Sequence, residues 1–335
     1  MTQDGRLAQL TQWVQGLADW QHASFTIASA DASFRRYFRI QQDTRTAIVM
    51  DAPPEKEDSQ PFVAIAAQLA AAGVYVPDIK AQNLAEGFLL LEDLGDTMLN
   101  TVLDASSVDH YYRQAIHTLL SIQHTPATTL APYSTAFMQQ EMALMPTWFL
   151  QTHLGFDAAA CPQALLEESF SAITAGIMEQ PQVFVHRDFH SRNLMLTPQG
   201  SLAVIDFQGA LQGPVSYDLV SLLRDCYVYW PPQQVWEWVD THRQQAIQQG
   251  IVPEVSPEDF RRWFDLTGLQ RHIKVLGIFA RLYHRDGKAA YLADLPRVLH
   301  YVMQVGAQHA ETTALVDWLQ EAGIPERIGR LEQAA

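Results

Sequence analysis

The middle of the chain carries a short stretch dense in reactive side chains, His186-Arg187-Asp188-Phe189-His190-Ser191-Arg192-Asn193. Further on, the apolar run Leu202-Ala203-Val204-Ile205 ends in Asp206-Phe207. A carboxylate can take or orient the proton of an attacking hydroxyl, and Asp188 is the candidate for that task. Asn193 and Asp206 supply the hard oxygen donors that magnesium prefers, and magnesium travels with the phosphates of ATP. The order His-Arg-Asp, four residues, Asn, then a strand ending in Asp-Phe therefore suits phosphoryl transfer to a hydroxyl. His186 reads as a residue that braces the loop.

Such groups need rigid elements to present them. The apolar runs 183–185 and 202–205 read as strands, with Pro198-Gln199-Gly200 as a turn between them. Upstream, Leu7, Leu10, Val14 and Leu17 recur at helical spacing. Segments 24–27, 37–40, 46–50, 79–84 and 87–91 read as strands. Phe62, Ile65 and Leu69 mark a helix that Gly73 ends. After Gly95 the periodicity is helical near 108–122, 137–153, 162–178, 216–228, 232–248, 258–284 and 289–304. The expected fold is α+β and two-lobed. Residues 1–94 form a small β-rich lobe for nucleotide, and 95–335 a larger helical lobe with catalytic loop, metal site and substrate pocket.

Composition narrows the options. The 335 residues carry 22 basic and 37 acidic side chains, a formal charge of −15, which argues against a general nucleic-acid binder. With 48% apolar residues the chain can build a sizeable core. Two cysteines, Cys161 and Cys226, exclude a disulfide framework and fit a reducing compartment. No apolar run approaches the ~20 residues of a membrane span, and the start has no signal-peptide pattern. A cytoplasmic protein is expected, with no nucleic acid, membrane or obligate protein partner.

The catalytic-loop pattern resembles that of the protein-kinase-like phosphotransferases, and more narrowly the aminoglycoside phosphotransferase family. The resemblance runs from about Phe25 to Leu299. It implies ATP and Mg2+ as cofactors and gives Asp188, Asn193 and Asp206 the roles above. Phe88-Leu89-Leu90-Leu91-Glu92-Asp93-Leu94-Gly95 looks like this family's lobe connection, where backbone groups from Glu92 to Leu94 would read the adenine edge. Asp218, in Tyr217-Asp218-Leu219, matches the residue that braces the catalytic loop from below. Ala32-Ser33-Phe34-Arg35-Arg36, Met50-Asp51-Ala52-Pro53-Pro54 and the run from Gln270 to Leu282 are similar to the anomeric sugar kinases of cell-wall recycling. That likeness implies phosphorylation of the C1 hydroxyl of N-acetylmuramate and N-acetylglucosamine. An aminoglycoside or other small-alcohol kinase, or a nucleotide-binding pseudokinase, stands as the alternative.

Two features depart from the kinase pattern. The first strand pair encloses no glycine, leaving Ala32, Ser33 and Phe34 with Arg36 to approach the phosphates. The third strand carries Met50 where a lysine belongs, and no acidic residue lies between Phe62 and Pro77. Arg36, Arg39 and Lys56 are the candidate replacement cations. Residues 261–288 hold a net charge of +5 in an acidic protein. At helical spacing Arg271, Lys274, Arg281 and Arg285 share one face, either a solvated face or a cationic wall for a sugar carboxylate. His190 and Arg192 are further candidates for contacts to sugar. Trp148 offers an aromatic face to a sugar ring or fills the core.

Overall fold

The computed structural model describes residues 3–30 and 35–328. In chain order it has α1 (Gln3–Gln15), β1 (Ser24–Ala30), β2 (Arg36–Gln42), β3 (Arg45–Asp51), α2 (Gln60–Ala71), β4 (Ile79–Asn83) and β5 (Phe88–Leu91). There follow α3 (Val108–His124), α4 (Thr135–Met142), a π-helix (Met145–His153), α5 (Gln163–Ile177), β6 (Gln182–Val185), β7 (Leu194–Leu196), β8 (Leu202–Val204) and β9 (Leu211–Pro214). The last part comprises α6 (Tyr217–Leu223), α7 (Pro232–Gln248), α8 (Pro257–Asp286), α9 (Leu295–Gly306), α10 (Ala310–Glu321) and α11 (Ile324–Ile328).

These elements group into two compact units. One draws on Met1–Leu99 and Asn193–Gln208, the other on Asn100–Arg192 and Gly209–Ala335. The β7–β8 hairpin, late in the chain, thus folds with the early strands.

The sheet unit is a five-stranded antiparallel sheet in the order β1-β2-β3-β5-β4. Period-two alternation explains its core, because Phe38 and Ile40 stand opposite Val49 and Ala47, and Val49 opposite Leu90. These side chains, with Phe88 and Trp20, are buried against Leu10 and Val14 of α1. Across the β2–β3 pair Arg36 faces Asp51, whose fully buried carboxylate also accepts Arg6 Nε at 2.7 Å. From α2, Phe62 stacks on Phe207 with ring centroids 4.7 Å apart. The hairpin is tied in by Val204 N–H donating to Tyr75 O at 2.8 Å and Leu196 N–H to Thr97 O at 2.9 Å.

The helical unit is organised around α8, a 30-residue helix. Ser256 caps its start by accepting Asp259 N–H at 3.0 Å, Pro257 follows, and Gly287 ends it in the left-handed region at φ 69°. α8 is buried on most of its circumference, packed by α5, α9, α6 and the π-helix. Of the two readings of the face shared by Arg271, Lys274, Arg281 and Arg285, a solvated face or a cationic wall, the solvated one does not hold for the first two. Arg271 is buried and Lys274 nearly so, while Arg285 alone of the four is exposed.

Three helical stretches differ from their periodicity. The 137–153 stripe divides into α4 and the π-helix, since Pro146 has no N–H to continue the ladder. The 216–228 stripe stops at Leu223, and the 289–304 stripe opens with a 3-10 turn, Ala289–Asp294. β9, which pairs with β6, was not anticipated, nor were α10 and α11.

Candidate active site

The reactive loop leaves β6 through His186 and Arg187. Their backbone N–H groups donate to the two carboxylate oxygens of Asp218 at 2.7 and 3.0 Å. Arg187 stands in the left-handed region at φ 77°, which side chains other than glycine adopt at a cost of roughly 1–2 kcal/mol. Asp218 holds it there. Burial pushes the Asp218 carboxyl up to about 7, against the pull of those two N–H groups. Asp188 N–H donates to His186 Nδ1 at 3.2 Å, so that ring braces the turn.

Asp188 itself is reached by solvent while protein atoms crowd around it. Crowding works to raise its pKa, but Lys274, His190, His186 and Arg187 outweigh that and hold it below the usual carboxylate range. It is a carboxylate at neutral pH, the form a proton acceptor requires.

Behind Asp188 lies a network that sequence reading missed. Glu141, only 9% exposed, accepts Arg187 Nη2 at 2.8 Å and Lys274 Nζ at 2.9 Å. Its second oxygen accepts the Tyr133 hydroxyl and Gln270 Nε2, the latter at 3.3 Å. Lys274 Nζ also donates to the Tyr217 hydroxyl at 3.2 Å. Burial raises the Glu141 pKa, yet Lys274 above all brings it below its ordinary value, so both members of the pair are charged. Arg271 points elsewhere, donating to Cys226 Sγ at 3.3 Å.

The far end of the loop is set by another buried carboxylate. Asp225 accepts Ser191 N–H at 3.1 Å and the Ser191 hydroxyl at 2.5 Å on one oxygen, and Tyr227 N–H at 3.0 Å on the other. The guanidinium of Arg192 lies 3.5 Å from the Tyr227 ring centroid, and the His190 ring stands edge-on to the same tyrosine at 5.4 Å. Tyr227, Phe279 and Tyr291 continue as a row of neighbouring rings. Trp148 is half-buried on the π-helix.

In the sheet unit, the β7–β8 hairpin brings Asn193 Nδ2 to 3.4 Å from Asp206 Oδ2, and Ile205 N–H donates to Asn193 O at 3.0 Å. Asp206 has φ 64°, a strained conformation for a residue with a Cβ, and Gln208 Nε2 donates to its Oδ1 at 2.6 Å. An amide oxygen and a carboxylate side by side are the hard donors magnesium takes, and this ion needs few protein ligands because phosphates and water complete its shell. The residues fit the ion. Among the described residues there is no cluster of three or more His, Cys, Asp or Glu of the kind that would cage a metal by protein alone.

Of the expected nucleotide contacts, Ala32, Ser33 and Phe34 lie outside the described residues. Arg36 is engaged with Asp51, and Arg39 with Asp93 and Asp96. Glu92 accepts the Tyr75 hydroxyl at 2.8 Å and its N–H donates to Asp78 O at 2.8 Å; Leu94 is buried. Met50 is fully buried in β3.

The sheet unit and the helical unit are those of the protein-kinase-like fold. The profile described as the phosphotransferase enzyme family matches residues 24–253, and the chain belongs to that family. It is 41% identical to the N-acetylmuramate/N-acetylglucosamine kinase of Pseudomonas aeruginosa, over 97% of this chain and 99% of that protein. It is also 41% identical to the protein of the same name from Pseudomonas putida, over 95% and 97%. Among solved structures, choline kinase LicA from Streptococcus pneumoniae superposes at a TM-score of 0.65 with 13% identity, over 90% of this chain and 99% of that one. LicA in complex with AMP matches at 0.61. The enzyme is a kinase. Among the described residues, no helix is long and apolar enough to cross a membrane.

Proposed function

We propose that the enzyme transfers the γ-phosphoryl group of ATP to the C1 hydroxyl of an N-acetylated amino sugar, N-acetylmuramate or N-acetylglucosamine. The observation that carries this reading is the 41% identity, over nearly the full chain, to two kinases named for those two sugars. The ionised Asp188 and the paired oxygen donors of Asn193 and Asp206 suit the reaction.

In this mechanism Asp188 orients the anomeric hydroxyl and accepts its proton as O1 attacks the γ-phosphorus. The bond from γ-phosphorus to the bridging oxygen breaks, giving the sugar 1-phosphate and ADP. An anomeric hydroxyl is more acidic than an ordinary alcohol, so a weak carboxylate base suffices. Asn193 and Asp206 would hold Mg2+, which neutralises phosphate charge when bound. The family resemblance gives Ala32, Ser33, Phe34 and Arg36 to the phosphates and the backbone from Glu92 to Leu94 to adenine. His190 and Arg192 face the sugar. Arg271 and Lys274 support that side from within the fold, Lys274 by keeping Asp188 ionised.

The test is an ADP-release assay with both sugars and a panel of aminoglycosides, with phosphorus NMR of the product. The expected result is an anomeric phosphate from an N-acetylated amino sugar. Turnover of aminoglycosides alone, or nucleotide binding with no turnover, would overturn the reading.

A further inference from the structure

Arg192 is an exposed guanidinium with an unusual arrangement of partners. Its flat face is taken by Tyr227 at 3.5 Å, and among the described residues it makes no hydrogen bond or ion pair. Asp294, the carboxylate whose field it shares, is paired with Arg297 at 3.1 Å. The platform is rigid, because Asp225 bonds Ser191, the residue before Arg192, and Tyr227 at once, and Asn100 N–H donates to Ser191 O at 3.1 Å. A guanidinium stacked in this way keeps its in-plane N–H fork available, and that fork matches the two oxygens of a carboxylate. Of the other cations expected to receive such a group, Lys274 and Arg271 are engaged inside the protein, by Glu141 and by Cys226, and the exposed Arg285 is paired with Asp286.

We infer that Arg192, pre-organised on Tyr227, is the specificity-determining residue that binds the lactyl carboxylate of N-acetylmuramate. The assignment rests on the sugar-kinase reading above and narrows it. Two sugars that differ by the lactyl ether group carrying this carboxylate are then told apart by a residue four positions from Asp188. The rings of Tyr227, Phe279 and Tyr291 offer apolar surface beside it. The same fork would also suit a phosphate of the nucleotide, and the choice of sugars separates the two sources.

The experiment compares kcat/KM for N-acetylmuramate and N-acetylglucosamine in the wild type, Arg192→Ala, Arg192→Lys and Tyr227→Leu. The expected result is a fall of about 10–100-fold in the N-acetylmuramate to N-acetylglucosamine ratio for Arg192→Ala, the range of a lost charge-assisted bond. The fall is expected mainly in KM, with Arg192→Lys intermediate and Tyr227→Leu shifting the ratio the same way. An unchanged ratio overturns the inference: equal losses on both sugars assign Arg192 to phosphate, and no loss on either leaves it without a role. A wild type inactive on both sugars would instead remove the sugar-kinase reading on which the inference stands.

Discussion

Lys274 Nζ lies 2.9 Å from Glu141 Oε1, joining the middle of the long α8 helix to the end of α4 beneath the reactive loop. The same carboxylate holds Arg187, so one buried anion steadies two cations that act on Asp188. Removing one member of such a group strands the others in a medium of low polarity. Glu141→Gln should destabilise the protein by about 3–5 kcal/mol in urea unfolding. The double variant Glu141→Gln/Lys274→Met should lose less than the sum of the two single variants. Additive losses would mean that the pair is not coupled.

Lys274 also helps to hold Asp188 below the ordinary carboxylate range. In Lys274→Met that support is gone and the Asp188 pKa rises. The acid limb of the pH profile of kcat/KM should therefore move to higher pH, because Asp188 must be ionised to accept a proton. An acid limb that stays in place would separate Lys274 from the proton-accepting group.

Asp188→Asn keeps the shape of the side chain and removes its basicity. Turnover should fall by about 100- to 10,000-fold, the usual contribution of a general base. Nucleotide affinity, measured by calorimetry, should be preserved. Substantial residual turnover would show that another group takes the proton.

Stability should fall in acid. Burial drives the pKa values of His242 and His272 down to about 3, so both are neutral in the fold and take up protons on unfolding below about pH 6.5. Asp218, raised to about 7, works the other way, since the folded state holds its proton more tightly. These three groups together take up about one proton on unfolding, so they contribute a drop in unfolding free energy of about 1.4 kcal/mol per pH unit from about pH 6 to 4. His272→Phe, which keeps a ring against Tyr301, should flatten that slope. Urea titrations at several pH values provide the check.

At Gly277 the α8 helix touches the start of the π-helix. A Cβ there would lie 2.3 Å from Leu144 C and 2.6 Å from Leu144 O, both backbone atoms that cannot swing aside. Gly277→Ala should cost about 1–3 kcal/mol despite the better helix propensity of alanine, measurable as a lower Tm. A stabilised variant would mean that the two helices part easily.

The reactive loop and the Asp206 strand end were legible because their signal is local: residue types at short spacing beside apolar runs. The sheet strands were legible for the same reason, as short runs of β-branched, aromatic or apolar residues between turns, alternating in β2 and continuously apolar in the fully buried β5. The bracing role of Asp218 came through the resemblance, and its two backbone bonds are seen in the fold. The basic run of α8 left a solvated face and a pocket wall both open, because a periodic pattern tells which residues share a helix face and not whether that face meets water.

Residue order thus settled the kind of chemistry, the sheet and the loop that carries Asp188 and Asn193. Folding alone decided that Lys274 is shut in with Glu141, that Arg192 rests on Tyr227, and that β9 completes β6. Each of these depends on partners far apart in the chain, and burial of a charge or closure of a strand pair exists only once packing has brought such partners together.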